Sequence, residues 1–487
     1  MDPELEAPLL RAWVDAQRRL AAGELRAFTV PGHKHRRDLI GDLVAGDVPL
    51  YGGLAPIRDG DALLREAEGR TAERWGADWC RYSVGGSTHG NQALTLAVGA
   101  PGDTVIVDRT CHRSLLLGLV LAGLRPIWVQ PPIDDATGLP LGICAATIAE
   151  SLASHPDTRA VFVTSPSYVG TGADVAALNE VTRAADVPLV VDAAWGAHLG
   201  SHPDLPLHPF TAGADAVVTS AHKALAAVNQ GAVVLARTDR LDAGRLDRAM
   251  EATATTSPSG TILASVDGSL ALLAQHGEEL IGALLDRVRR ARAVLRKVPG
   301  VVVPDSTTLP GDFDDAKLVV LLAGAGADGI AVDRDLAKQG FTLEMADRDL
   351  LVPMVTLADD DEAVADLAEA LGSTIERHRG VPRATVAHAA WTVAADAALS
   401  PRDAFFADRE PVAWDGAAGQ VCAEVVAPYP PGVAVLAPGE RITQGALDAL
   451  RQAKADGARI AYAADPTLAT VLVVRPDGSS PGVGTGP

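Results

Sequence analysis

Cysteine is scarce in this chain. Cys80, Cys111, Cys144 and Cys422 stand in no CxxC spacing and beside no histidine pattern, so neither a zinc site nor a disulfide framework is expected, and a reducing compartment fits. Long apolar runs are also missing. The longest, Leu115 to Leu124, is about half of the roughly 20 residues that a membrane span requires, and Met1-Asp2-Pro3-Glu4 has no basic signal-peptide start. A soluble, cytoplasmic protein without a membrane partner is expected. Positive charge is in deficit: 42 basic against 62 acidic side chains leave a net charge of −20, which disfavours nucleic acid and anionic lipid and draws cations inward. What the chain does have is length, and 487 residues at 48% hydrophobic content can bury a large core spread over about two to four domains.

Between Asp103 and Leu235, short apolar runs alternate with helical patterns: Thr104-Val107, Pro126-Val129, Ala160-Thr164, Leu189-Asp192, Ala216-Ser220 and Ala232-Leu235. Continuous apolar strands separated by helices predict a mainly parallel α/β sheet covered on both faces, with ligands beyond the carboxyl ends of its strands. Arg81-Val84 adds a further strand upstream. Residues 1–30 read as an amphipathic helix and arm, 31–275 as the large domain, and 276–380 as a small α/β domain with a strand at Lys317-Leu322 and a helix at Asp333-Gln339. The alanine-rich Val381-Ala397 reads as helical. A further unit covers 398–475, and the Gly/Pro/Ser-rich 476–487 reads as a disordered tail.

Two of the apolar runs end in chemistry. Val218-Thr219-Ser220-Ala221-His222-Lys223 brings an amine to a strand end, and Leu189-Val190-Val191-Asp192-Ala193-Ala194-Trp195 brings a carboxylate to another. Pyridoxal phosphate requires an amine for its aldehyde, an anion for its ring nitrogen, donors for its phosphate and a group against its flat face. Lys223 is the candidate for the Schiff base, its amine left unprotonated if the pocket desolvates it; the bland alternative is a surface lysine at a helix start. Asp192 would face the pyridine nitrogen, although taken alone it reads equally as a turn cap. Ala194 and Trp195 would line the ring or the substrate channel.

The turn Gly85-Gly86-Ser87-Thr88-His89, leading to a helix expected near Asn91, would present backbone N–H groups and hydroxyls to the phosphate, with Ser220 and His222 adding contacts from the other side. A glycine-rich turn alone can simply permit positive φ. His112, just past Val107-Asp108, stands where an imidazole could stack on the ring, although a lone histidine is more often structural.

In this order, the segments resemble the bacterial ornithine/lysine/arginine decarboxylase family of fold type I (aspartate-aminotransferase-like) pyridoxal enzymes. Pro31-Gly32-His33-Lys34 is similar to that family's PGHK segment, Trp75-Gly76-Ala77-Asp78 precedes the GST turn as in the family, and Asp108-Arg109-Thr110-Cys111-His112-Arg113-Ser114 is similar to its DRNCHKS element. The resemblance implies a seven-stranded major domain and the stacking role of His112. Thr255-Thr256-Ser257-Pro258-Ser259 resembles a segment that in such enzymes reaches the neighbouring subunit's cofactor phosphate, which implies Thr256 and Ser257 as cofactor contacts and a homodimer or higher oligomer with shared active sites. Ala427-Pro428-Tyr429-Pro430-Pro431-Gly432 and Ala437-Pro438-Gly439-Glu440 resemble the family's own α+β C-terminal domain, which ordinary aminotransferases do not carry.

The chain departs from the family pattern at Gly85, where asparagine is frequent, and at Asp192-Ala193-Ala194-Trp195, which replaces a common DEAH. With the PGHK element already at Pro31, a short form without an N-terminal wing domain is expected. The resemblance implies decarboxylation of a basic amino acid to its amine, a step of polyamine synthesis, with arginine preferred and lysine or ornithine open. Glu344, Asp347, Asp349 and Glu424 are candidates for the substrate's cationic end. A type I aminotransferase or other pyridoxal lyase would share the lysine, carboxylate and turn, and a non-catalytic pyridoxal-binding protein is a third reading.

Overall fold

The computed structural model describes residues 5–25, 28–54, 57–430 and 432–475. The expected disordered tail at 476–487 and Pro431 of the PYPPG segment lie outside the described residues. Seven apolar runs form seven strands: β1 (Trp79–Ser83), β2 (Thr104–Asp108), β3 (Arg125–Val129), β4 (Val161–Thr164), β5 (Leu189–Asp192), β6 (Ala216–Ser220) and β7 (Ala232–Ala236). They pair in the order β1-β7-β6-β5-β4-β2-β3, parallel from β3 to β6, with β7 antiparallel to both neighbours. This is the mainly parallel seven-stranded sheet expected.

Every residue of β5, β6 and β7 is buried, which is why these strands read as continuous apolar runs rather than alternating ones. Successive residues still face opposite ways. Val161, Val163, Leu189, Val191 and Val217 enter one core, while Phe162, Val190, Ala216 and Val218 enter the other. Each such valine, leucine or phenylalanine side chain contributes about 1.5–3 kcal/mol on burial.

The strand order reverses between β2 and β4, and the carboxyl ends of β1, β2, β4, β5 and β6 share one edge. That edge therefore carries Ser83, Asp108, Thr164, Asp192 and Ser220. Helix α1 (Pro8–Ala21) is held by the buried Asp267, whose Oδ2 accepts from the Leu9 amide at 2.9 Å and whose Oδ1 accepts from Arg70 at 2.9 Å. Helix α2 (Gly86–Val98) starts five residues before the expected Asn91, so the glycine turn is its first turn. A Cβ on Gly90 would stand 2.5 Å from Val218 Cγ2, so glycine there lets α2 lie directly on β6. Helix α3 (Arg113–Ala122) follows β2.

Helix α4 runs unbroken from Gly260 to Leu295, so the expected boundary between 275 and 276 falls inside it and the helix serves both units. Beyond it, β8 (Val320–Leu321), β9 (Met345–Ala346) and β10 (Leu350–Val352) form a small antiparallel sheet in the order β8-β10-β9. Helices α5 (Gly329–Lys338) and α6 (Asp361–Arg377) accompany it. The expected strand at Lys317-Leu322 contracts to β8, because Lys317 is drawn into a turn by its amide bond to the Asp314 carbonyl at 2.9 Å.

The expected helix over Val381-Ala397 is a correction: only Ala389–Thr392 is helical. Pro382 and the β-branched Thr385 and Val386 disfavour helix, and Arg383 ties the segment to the small unit through Asp349 and the carbonyls of Gly326 and Ala327. The C-terminal unit pairs β11 (Arg409–Ala413) with β14 (Thr470–Val474) and β12 (Ala427–Tyr429) with β13 (Arg459–Ala461), with helix α7 (Gln444–Ala455) packed beside them. Its core of Trp414, Val426, Leu447 and Val473 continues into Val169 and Phe313 of the preceding units. Arg109 is buried at this junction, and its guanidinium donates to both carboxylate oxygens of the buried Glu440 and to the Val435 carbonyl.

Candidate active site

The shared strand edge opens into a cavity of about 380 Å³, within the range of small-molecule sites. Lys223, Asp192, His112, Ser87, Thr88, Ala194, Trp195, Ser220 and His222 all line it, so the structure brings together nine of the residues expected at the site.

Asp192 closes β5 and is buried. Its Oδ1 accepts from the Ala194 amide at 3.0 Å and its Oδ2 from Asn91 Nδ2 at 2.7 Å. Asn91 also donates to Ser114 Oγ at 2.9 Å, which in turn meets His112 Nδ1 at 2.8 Å. The carboxylate is thus fixed at the strand end by hydrogen bonds. A second strand-end carboxyl, Asp108, is pushed up to about 6 by burial. It accepts from Thr110 and from the Thr164 amide, stapling the end of β2 to that of β4.

Lys223 follows β6 in the one-turn helix Ala221–Ala224. Enclosure lowers its amine below the usual lysine value, while Asp192 and Glu344 pull it back up. His112 caps the start of α3, its Nδ1 accepting from the Ser114 amide at 3.2 Å. Although open to the cavity, its imidazole is held below the ordinary value by desolvation; Asp192 opposes this, and Lys223 and Arg113 add to it. The ring is therefore neutral at pH 7. Ser87 and Ser220 meet hydroxyl to hydroxyl at 2.6 Å, joining the first turn of α2 to the end of β6. That first turn leaves amide donors without intrahelical acceptors, at the positive end of the helix dipole.

Two expectations are corrected. His89 lines no part of the cavity: its Nδ1 meets Ser83 Oγ at 2.9 Å and its Nε2 meets the Met250 carbonyl at 2.9 Å. With 3.6 residues per turn, it points roughly opposite to Ser87 and Asn91. Thr256 and Ser257, expected at the neighbouring subunit's cofactor rather than this chain's own, are exposed and line no part of this cavity. Of the four acidic candidates only Glu344 lines the cavity. Asp347 accepts from the Asp349 and Leu350 amides, Asp349 pairs with Arg348 and Arg383, and Glu424 accepts from the Ala464 and Leu472 amides.

Several further residues line the cavity that sequence reasoning misses. Asn91 carries a usable signal, because it lies four residues after Ser87 on one helix face. Thr164, Tyr168, Trp391, Tyr429 and Tyr462 also reach the cavity; Tyr429 stands in the segment that resembles the family's C-terminal domain, but sequence reasoning assigns none of the five to the site. Lys317 is likewise unmarked, yet its ammonium lies 4.2 Å from the Trp195 ring centroid.

The residues fit pyridoxal phosphate. An enclosed amine, a hydrogen-bonded carboxylate and a helix start converge on one cavity, whose walls also hold the Thr164 and Tyr168 hydroxyls, buried without a protein partner among the described residues. Such groups call for a polar occupant.

Comparison with known proteins agrees with this geometry. The profile of the family described as Orn/Lys/Arg decarboxylase, major domain, matches residues 26–308, and that of the Orn/Lys/Arg decarboxylase C-terminal domain matches residues 384–460. The chain is 30% identical to arginine decarboxylase of Halalkalibacterium halodurans over 462 residues, 92% of this chain and 94% of that protein. It is 29% identical to arginine decarboxylase of Bacillus subtilis over 466 residues, with the same coverage of 92% and 94%. The lysine decarboxylase LdcF of Francisella novicida superposes with a TM-score of 0.80 at 19% sequence identity, covering 97% of this chain and 82% of that one. The sheet and its strand-end site define the fold type I class of pyridoxal-phosphate-dependent enzymes. Within that class, the chain belongs to the Orn/Lys/Arg decarboxylase family. It is an amino-acid decarboxylase, a carboxy-lyase.

Proposed function

We propose that this enzyme removes the α-carboxylate of arginine, using pyridoxal phosphate held by Lys223, Asp192, His112 and the first turn of α2. The convergence of the Lys223 amine and the Asp192 carboxylate in one cavity with the Ser87-Thr88 turn carries this reading. When bound, the cofactor supplies a positively charged ring that accepts the electron pair left at the α carbon as carbon dioxide departs. The chain's own residues supply the rest. Asp192, fixed by Asn91 and Ala194, provides a negative charge for the ring nitrogen. Ser87, Thr88, Ser220 and His222 provide donors for the phosphate, and the neutral His112 imidazole offers a flat face. Lys223, its amine lowered below the usual lysine value by enclosure, serves as nucleophile and carries protons to and from the reacting centre.

Arginine is favoured by the aromatic rim. Tyr168, Trp391, Tyr429 and Tyr462 reach the cavity, and planar guanidinium groups stack on such faces. The chain already does this twice, with Arg113 placed 4.4 Å over Tyr462 and Arg459 placed 5.0 Å over Tyr429. Glu344 adds the carboxylate at the cavity wall. The names of the two bacterial relatives support the same substrate.

Incubation with arginine, lysine and ornithine, with assay of amine and carbon dioxide, is expected to give the highest kcat/KM with arginine. A keto acid without carbon dioxide would instead identify an aminotransferase. Asp192→Asn keeps an oxygen for the Ala194 amide but loses the charge, so kcat should fall by about 10²–10³-fold with the fold retained. A turnover unchanged in that variant would remove the assigned role.

A homodimer that completes each site is part of this reading. It is supported by the exposure of Thr256 and Ser257 and of the apolar Phe28, Val30, Leu39, Ile40 and Leu43 in the segment that follows α1. Cytoplasmic residence is supported by four cysteines that are all free, three of them buried. Among the described residues no helix is long and apolar enough to cross a membrane.

A further inference from the structure

A second cavity, of about 250 Å³, lies where the large domain, the small unit and the C-terminal unit meet. Among the described residues, Trp391 alone lines both this space and the active-site cavity. Its indole is buried in the one-turn helix Ala389–Thr392. The ring stands 6.4 Å from that of Tyr168, which lines the active-site cavity, and 5.4 Å from that of His388, which lines the second. Trp391 Nε1 has no acceptor among the described residues, so the ring is seated by packing and its removal breaks no hydrogen bond.

The hairpin of β9 and β10 passes from one cavity to the other. Glu344 and Met345 line the active-site cavity, whereas Asp347, Arg348 and Asp349 of its turn line the second. Arg348 bridges Asp349 and Asp456, and Arg383 holds Asp349 as well, so these charges are matched within the wall. Asp347 is different. Its Oδ1 accepts from the Asp349 and Leu350 amides, and it forms no ion pair among the described residues. Burial pushes its carboxyl up to about 6, which leaves it charged on most molecules at pH 7. Burial first, and that charge second, raise the Tyr168 phenol, so the carboxylate is felt across the indole. The rest of the wall includes the apolar Leu321, Ala323, Ala449 and Ala453. A lone carboxylate in such a chamber suits the cationic end of an aliphatic chain.

We propose that Trp391 determines specificity as a partition: it limits the length of the basic side chain that the active-site cavity accepts, and behind it lies a subsite for a longer cationic chain. The proposal rests on the reading that the active-site cavity takes a basic amino acid. Arginine ends on the active-site side of the indole, and a substrate one methylene longer is excluded by it. With the indole removed the two cavities join, and the added length runs toward Asp347. One methylene in a fitted pocket changes kcat/KM by about 10–200-fold, which makes the effect large enough to read.

The test compares homoarginine with arginine in the full-length enzyme loaded with pyridoxal phosphate. Trp391→Ala is expected to raise the ratio of their kcat/KM values by about 10–100-fold, and Trp391→Phe to leave it near the parent's. Ala449→Phe, which fills the second cavity from α7, should leave the parent ratio unchanged and cancel the gain when combined with Trp391→Ala. Asp347→Asn in the Trp391→Ala background keeps the Oδ1 that the two amides need but should reduce the gain. Where the alanine variant loses its native circular dichroism, Trp391→Leu should show the same shift on a smaller scale.

A second readout needs no turnover. Calorimetric affinities of agmatine and its longer homologues should stop rising with chain length in the parent and continue to rise in Trp391→Ala. A ratio and a length limit that removal of the indole leaves unmoved, or a gain that survives Ala449→Phe, overturns the proposal. A parent that is inactive on arginine, lysine and ornithine but keeps the length limit would sink the functional reading and leave the partition standing.

Discussion

Replacement of Lys223 by alanine is expected to reduce turnover by about 10⁴-fold or more, since one amine serves both as nucleophile and as proton carrier. The variant should also lose the covalent link to pyridoxal phosphate, which borohydride reduction followed by mass spectrometry of the 221–224 region detects in the parent. Lys223→Arg is the more telling control. It keeps a cation near Trp195 but offers no amine of usable basicity, so it should be as inactive as alanine while folding like the parent. Normal turnover in either variant, or cofactor attached to another lysine in the parent, would refute the assignment. Lys317 is the only other lysine placed against Trp195 among the described residues, so the peptide map discriminates between the two directly.

The second large effect lies away from the chemistry. Arg109 and Glu440 are side chains with relative exposures of only 1% and 4%, and they join the large domain to the C-terminal unit. Arg109 also donates to the Val435 carbonyl at 3.0 Å and lies over the Trp128 ring, while Glu440 accepts from the Ala437 amide at 3.0 Å. Removing one partner leaves the other as an uncompensated buried charge, so Glu440→Ala should destabilise the protein by about 3–5 kcal/mol. Replacing both by apolar residues should cost much less than the two single changes together. Denaturant or thermal unfolding of the two single variants and the double variant measures this. Additive losses would show that the pair acts as two independent contacts.

This pair also shows how a motif can carry more than its pattern reveals. The DRTCHRS element points to His112, and the APGE segment resembles part of a C-terminal domain. The structure joins the two elements through Arg109 and Glu440, 331 positions apart. His89 teaches the opposite lesson. It stands inside the phosphate turn by sequence, but the start of α2 at Gly86 rotates it to Ser83 and Met250. A helix start at Asn91 would hide that rotation. The Val381-Ala397 segment misleads through its alanine content, because local propensity is overridden by Pro382 and the tertiary bonds of Arg383.

By itself the sequence determined the sheet and the two reactive ends of it. Strands buried on both faces need unbroken apolar runs, and parallel strands in such a sheet bring their carboxyl ends to one edge, so the pattern of residues alone makes Asp192 and Lys223 neighbours. Tertiary structure alone decided what surrounds them. Lys317, Glu344, Tyr168 and Trp391 belong to different segments, and Asp347, Asp349 and Glu424 are set aside because other partners already hold them. The division has a physical cause. Strand placement follows from burial, which acts on every residue of a run and leaves a periodic trace. The cavity wall depends on single side chains brought together by packing, and one lysine or one tyrosine leaves no period to read.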